Sequence, residues 1–311
     1  METRAGRFFE DFRRGERLVH PTPRTLTAGD ASLYIALTGA RQIVHSALPV
    51  AHALGHRDRP LDDLLVFHVA FGKTVPDVSL NAIANLGYAD MRFLAPVYAG
   101  DTIRAESEVI GLRETSNRKA GVVYVRSDAY NQDARKVLTW ARWVMVHKRD
   151  FAAPAPAAHV PELPREVPPD QLAVPAFLDA RSFETDATGS ADLWDDYTPG
   201  ERIDHPGGMT VDDSDHTLAT KLYQNTARVH FDGHAMAGTP HGRRLMYGGH
   251  VISVCRALSY DGLENVLAIA AVNGGSHTNP TFGGDTLYAR TEVLEKWPLP
   301  GRSDVGALRL R

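Results

Sequence analysis

Apolar positions along this chain change their period in the same order twice. Thr27-x-x-Asp30 precedes a short helix at SLYIALTG, and Asp212-x-x-Asp215 precedes another at TLATKLYQN. The first residue of each pair can accept from an orphan N–H of the opening turn. The second sits at the positive end of the helix. A second, longer helix is predicted in each stretch, at TVPDVSLNAIANL and at HVISVCRALSY. Strand-like alternation follows. In KVLTWARWVMVHK, Leu138, Trp140, Val144 and Val146 share one face, and Val137, Ala141, Trp143 and Met145 share the other. Both faces are partly apolar, as expected of a sheet covered on both sides. Helices first and strands later predict antiparallel α+β units rather than alternating β-α units.

The two stretches are copies. FFEDFRRGERLVH (8–20) matches LWDDYTPGERIDH (193–205) at a shift of 185, and the same shift carries Asp30 onto Asp215 and His45 onto His230. PVYAGDT (96–102) matches PTFGGDT (280–286) at a shift of 184. An ordered series at nearly constant offset marks a duplication. Residues 152–175 hold seven of the 19 prolines and read as a linker ordered along the surface of one half. The expected division is an N-terminal unit over 1–150, a Pro/Ala-rich linker over 151–190 and a C-terminal unit over 191–311. A connection this long predicts two units joined late rather than one continuous sheet. The counterpart of Arg126 is Arg311, the last residue, so the second unit is expected to lack about 23 residues of a final strand hairpin.

Composition removes several function classes. The 311 residues are 43% hydrophobic and 23% charged, as in an ordinary globular protein. Thirty-four basic residues against 38 acidic ones give −4, with no surplus for gripping nucleic acid. No run of about 18 apolar residues predicts a membrane span. METRAGRFFEDFRRGER has no apolar stretch of a secretion signal. The single cysteine, Cys255, excludes an internal disulfide and fits a cytoplasmic setting; among apolar residues at helical spacing it reads as core. No GxGxxG or GxxxxGK[ST] follows a strand, so nucleotide-binding folds of those types are not expected.

ALTGxxxxxH, then a glycine turn opening a helix, then PVxxGDT before long strands resembles the MaoC-like hydratase family. TPRTLTAGDASLYIALTG, LYQNTARVHFD, RRLMYGGHVIS and LPGRSDVGALRLR are most similar to its mesaconyl-CoA hydratase branch. The resemblance implies a double hotdog, in which each unit wraps a curved antiparallel sheet around a long helix. It implies a hydro-lyase that adds water reversibly to an enoyl-CoA thioester, with mesaconyl-CoA giving β-methylmalyl-CoA. No cofactor is expected, since adding water is redox-neutral. A homodimer is expected.

In the family motif an Asp and a His five residues apart hold the water. The first copy keeps His45 but has Ala40 at the Asp position and Gln42 at the Asn position, so it reads as a degenerate half that shapes the substrate tunnel. The second keeps His230 but places Asn225 at the Asp position. A carboxamide orients water but cannot accept its proton near pH 7. His230 is therefore expected to make both proton transfers with Asn225 positioning the water; a carboxylate such as Asp232, or the substrate's own, is the alternative. An unperturbed imidazole near 6.5 suits both directions. Tyr247-Gly248-Gly249-His250 matches the turn whose glycine N–H meets the thioester carbonyl, with Gly249 the first choice and Gly248 next. Gly72 and Lys73 in FGKTVPD look like a weaker counterpart. The substrate's extra carboxylate calls for a cation. Arg228, inside the motif, is the first choice, ahead of Arg41, Arg243 and Arg244, the last two also suited to CoA phosphates. His230-Phe-Asp232-Gly-His234 lacks metal-site spacing. The competing readings are a hydratase for another enoyl-CoA, a non-catalytic acyl-CoA-binding double hotdog, and a thioesterase.

Overall fold

A computed structural model describes residues 6–311; the first five positions of the N-terminal segment read above for a secretion signal lie outside it. The first half runs β1 (Arg17–Thr25), α1 (Ala28–Thr38), α2 (Ile43–Ser46), α3 (Leu48–Ala53), α4 (Asp63–Thr74), β2 (Ala82–Phe93), β3 (Thr102–Glu114), β4 (Ala120–Tyr130) and β5 (Lys136–His147). The second half runs β6 (Arg202–Thr210), α5 (Asp213–Tyr223), α6 (Arg228–Phe231), α7 (Gly233–Ala237), α8 (Gly248–Leu258), β7 (Ala271–Gly275), β8 (Thr286–Pro298) and β9 (Gly306–Leu310).

The duplication is visible atom by atom. Asp11 Oδ2 accepts from Phe8 N at 2.9 Å, and Asp196 Oδ2 accepts from Leu193 N at 2.8 Å. His20 Nε2 meets Ser107 Oγ at 2.8 Å, and His205 Nε2 meets Thr291 Oγ1 at 2.8 Å. Each GDT turn closes on its aspartate: Asp101 accepts from Tyr98 N and Asp285 from Phe282 N, both at 2.8 Å.

Thr27 and Asp30 form a reciprocal capping box at α1, as the sequence predicts; Asp212 stands at the N-cap of α5 without a side-chain cap bond. The long helix of the first half lies earlier than expected. It is α4, in DLLVFHVAFGKT, capped by Asp62 Oδ1 accepting from Leu64 N. Every residue from Leu64 to Thr74 is buried, which suits a helix that is apolar almost all round. A π-helical turn over Val75–Ser79 ends it, and NAIANL continues as strand β2. Tertiary pairing decides this: β2 lies between β5 and β7 and is hydrogen-bonded to both.

All strand pairs are antiparallel, in a six-stranded sheet ordered β1-β3-β4-β5-β2-β7 and a three-stranded sheet ordered β6-β8-β9. The second half therefore lends β7 to the sheet of the first, with Met91 opposite Val272, and the expectation of separate sheets is corrected. Among the described residues β5 has no counterpart in the second half. The linker also touches both halves rather than one. His159 bridges to Leu112, Val167 N donates to Asn273 Oδ1 at 2.7 Å, and Ala180 N donates to Asp304 Oδ2 at 2.9 Å. One core cluster joins Leu64–Phe71 of α4 and Trp140 of β5 to Ala219, Leu222, Tyr223 and Tyr247 of the second half.

Candidate active site

The motif loop of the second half follows α5. The helix ends on Gln224, a left-handed residue at φ 54°, where the first half has Gly39 at φ 71°. A non-glycine residue here carries backbone strain, which persists only where surroundings impose it. They come from the other half. Gly72 of α4 packs so closely that a Cβ there would lie 1.9 Å from the Tyr223 carbonyl oxygen. Lys73 Nζ donates to Gln224 Oε1, and Arg24 reaches the Leu222 carbonyl. Burial lowers Lys73 to about 8.

Asn225 is buried; its Oδ1 accepts from Ala227 N at 3.2 Å and its Nδ2 has no partner among the described residues. His230, on α6, lies with Nδ1 2.9 Å from the Leu245 carbonyl oxygen. A carbonyl only accepts, so Nδ1 carries the proton and Nε2 of the neutral ring keeps its lone pair. Burial pushes His230 down to about 4; the Leu245 carbonyl opposes this and His277 adds to it. This corrects the expectation of an unperturbed imidazole.

Tyr247 caps α8, and Gly248 and Gly249 are its first helical residues. Helical geometry leaves their N–H groups without intrahelical partners at the positive end. Tyr247 N donates to His216 Nε2 at 2.8 Å, and the His216 and His230 rings are 6.0 Å apart. The Tyr247 ring is 5.5 Å from that of His230. The structure thus brings His230 and the YGGH turn together. It adds His277, against which Gly248 is packed: a Cβ would lie 2.3 Å from its Cε1. It also adds a buried chain across the halves, in which Tyr247 Oη is 3.3 Å from His68 Nδ1. His68 Nε2 is 2.7 Å from Ser253 Oγ, and Ser253 Oγ is 2.9 Å from Tyr34 Oη. His68 and His277 stand outside any motif, so sequence spacing gave no signal for them.

The other candidates are placed as follows. Asp232 Oδ1 caps α7, accepting from Ala235 N at 3.0 Å. Arg228 is exposed on α6. Arg244 donates to Thr217 Oγ1 at 2.8 Å and lies 3.5 Å from Asp213. Arg243 stacks on Phe282, and Arg41 on Tyr260 while paired with Asp261. Burial pushes the Cys255 thiol up, away from reactivity. No group of three or more His, Cys, Asp or Glu among the described residues could hold a metal. No helix among them is long and apolar enough to cross a membrane.

The first half holds an altered copy. His45 Nδ1 lies 3.2 Å from the Pro60 carbonyl oxygen, as His230 does from Leu245. At the head of α4, however, stand Asp62 and Asp63, where α8 has Tyr247 and Gly248. This corrects the placement of Gly72 and Lys73, which lie at the opposite end of α4. Burial raises Asp63 to about 6, with Asp62 raising it further and His45 opposing.

The profile of the mesaconyl-CoA hydratase family matches residues 1–311. The chain belongs to that family. It is 55% identical over 310 residues to a β-methylmalyl-CoA dehydratase of Chloroflexus aurantiacus, covering 100% of this chain and 88% of that protein. It is 53% identical over 313 residues to a mesaconyl-CoA hydratase of Cereibacter sphaeroides, covering 100% and 90%. The crystal structure of a MaoC domain dehydratase from Chloroflexus aurantiacus superposes with a TM-score of 0.98 at 55% identity, over 100% of this chain and 89% of that one. A double-hotdog protein of Mycobacterium tuberculosis superposes with a TM-score of 0.80 at 25% identity, over 98% and 90%. The fold is thus a double hotdog of the MaoC-like type, and the family is one of hydro-lyases acting on CoA thioesters.

Proposed function

We propose that this member of the family reversibly hydrates mesaconyl-CoA to β-methylmalyl-CoA at the site formed by residues 225–230 and the head of α8. Asn225 Nδ2 orients a water. His230 Nε2 takes one of its protons as the hydroxyl bonds to the β-carbon. Negative charge passes to the thioester oxygen, which the N–H groups of Gly249 and Gly248 receive. The imidazolium then returns its proton to the α-carbon, so H and OH of one water are both added. The observation that carries this reading is the bond from His230 to the Leu245 carbonyl. It frees Nε2 beside a glycine helix start, whereas the first half pairs the same bond with two carboxylates.

Tyr247 shapes the wall beside His230. Arg228 and Arg244 would meet the anionic parts of the CoA ester at the edge of this site. The division into 1–150, 151–190 and 191–311 assigns chemistry to the last unit and tunnel walls to the first. A cytoplasmic setting, which the single unpaired cysteine suits, and a homodimer complete the proposal; sedimentation at twice 34.1 kDa would bear out the dimer and sedimentation at that mass would refute it.

The test follows enoyl-thioester absorbance of mesaconyl-CoA, with free thiol monitored in parallel. Loss of the double bond without thiol release is the expected result. Thiol release would favour a thioesterase, and binding without turnover a non-catalytic module. Turnover of a different enoyl-CoA alone would change the substrate.

A further inference from the structure

Arg142 is fully buried on β5, in the row that otherwise presents Leu138, Trp140, Val144 and Val146. Its Nη2 donates to Thr74 Oγ1 at 2.8 Å and lies 3.4 Å from Ser79 Oγ, and its Nε has no partner among the described residues. Its Cζ sits 4.2 Å from the centre of the Phe71 ring. No carboxylate forms an ion pair with it among the described residues. A buried cation without a counter-ion is costly to a fold. The π-helical turn after α4 is bent around it, and such turns are frequent at functional sites.

The surroundings of Arg142 lead to the site proposed around His230 and Gly248. Phe71 has Tyr247 on another side, ring centres 5.5 Å apart. Tyr88 lies directly across from Arg142 in the sheet, and its ring is 5.9 Å from His277, which lies against Gly248. We infer that Arg142 supplies uncompensated positive charge beside this site and, through Tyr247 and Tyr88, stabilises the enolate oxygen that develops over Gly248 and Gly249. It is a positioning residue for that charge and does not touch substrate. Its charge also favours the ionised form of both tyrosines, against the burial that raises their pKa values. The inference rests on the hydration reading for the place of the enolate.

Acetoacetyl-CoA tests it with the full chain. This β-ketothioester loses its α-proton to form an enolate with its own ultraviolet band, and no hydration is involved. Bound to the wild type, its enolate fraction at a given pH should rise on the order of tenfold to a hundredfold, the size expected of one nearby charge at intermediate dielectric. Arg142→Lys should keep most of that gain and Arg142→Met should lose it. Arg142→Met should also melt no lower than the wild type, since an apolar chain of similar length replaces an unpaired charge. An equal enolate fraction in wild type and folded Arg142→Met, or no gain in the wild type, would overturn the inference. So would failure of both Arg142→Met and Arg142→Gln to fold, which would make the residue structural. Hydration of mesaconyl-CoA without the enolate gain would remove this inference and leave the proposed function standing. The gain without hydration would do the reverse.

Discussion

His230 is held by one hydrogen bond and kept neutral by burial, and both facts have kinetic consequences. His230→Ala should lower turnover by roughly a thousandfold, within the range for a lost general acid–base. Because the imidazole lies at about 4, the free enzyme should keep its base down to mildly acidic pH. The acid limb of kcat/KM should therefore fall near pH 4 rather than near 6.5, read from a pH–rate profile. Asn225→Ala should reduce kcat about tenfold to a hundredfold with a smaller change in KM, because the proposed mechanism gives Nδ2 the water to hold rather than the CoA ester. An unchanged kcat would remove Asn225 from the proposed mechanism. Of these two residues the sequence shows identity and spacing. It does not show the Leu245 carbonyl, fifteen residues away, that fixes the tautomer. Arg142 was legible in one respect, as the break in an apolar row of β5, but its lack of a counter-ion needed three dimensions.

At the scale of elements, the proposed site lies where α4 of one half abuts the loop after α5 of the other. Gly72→Ala places a methyl carbon against the Tyr223 carbonyl and forces the two apart. It should cost about 1–3 kcal/mol of stability, seen as a lower Tm, and reduce kcat although residue 72 is not part of the motif. An unchanged kcat would show that the motif loop holds its shape alone. The helix expected over TVPDVSLNAIANL illustrates why elements were only partly legible. Pro76 lies inside it, and Ala82 and Ala84 after it pair with β5, a partner that no local window contains. Where local signals suffice, as at the Thr27–Asp30 capping box or in β5, expectation and structure coincide.

Across the whole molecule, the two halves share a sheet and a core, so calorimetry should show one cooperative transition; two resolved transitions would contradict that packing. Four histidines, the buried His68, His216 and His250 and the half-buried His230, have folded pKa values below the unfolded value of about 6.5. Their contribution to stability is complete above that value and is lost as pH falls toward 4 and 3. Asp63, raised to about 6, has the opposite sign: its contribution is present at low pH and lost as pH rises through 6. Four groups outweigh one, and Tm should fall between pH 7 and pH 4.5. The duplication, the double-hotdog fold and the altered first half were readable from spacing and resemblance. The exchange of β7 between the halves was not, because a repeat offset says nothing about which edges meet. The central claim is that hydration belongs to the second half. It is tested most directly by comparing mesaconyl-CoA turnover in His230→Ala and His45→Ala, each shown to be folded. The account predicts an inactive His230 variant and a His45 variant that turns over substrate; the reverse pattern would contradict it.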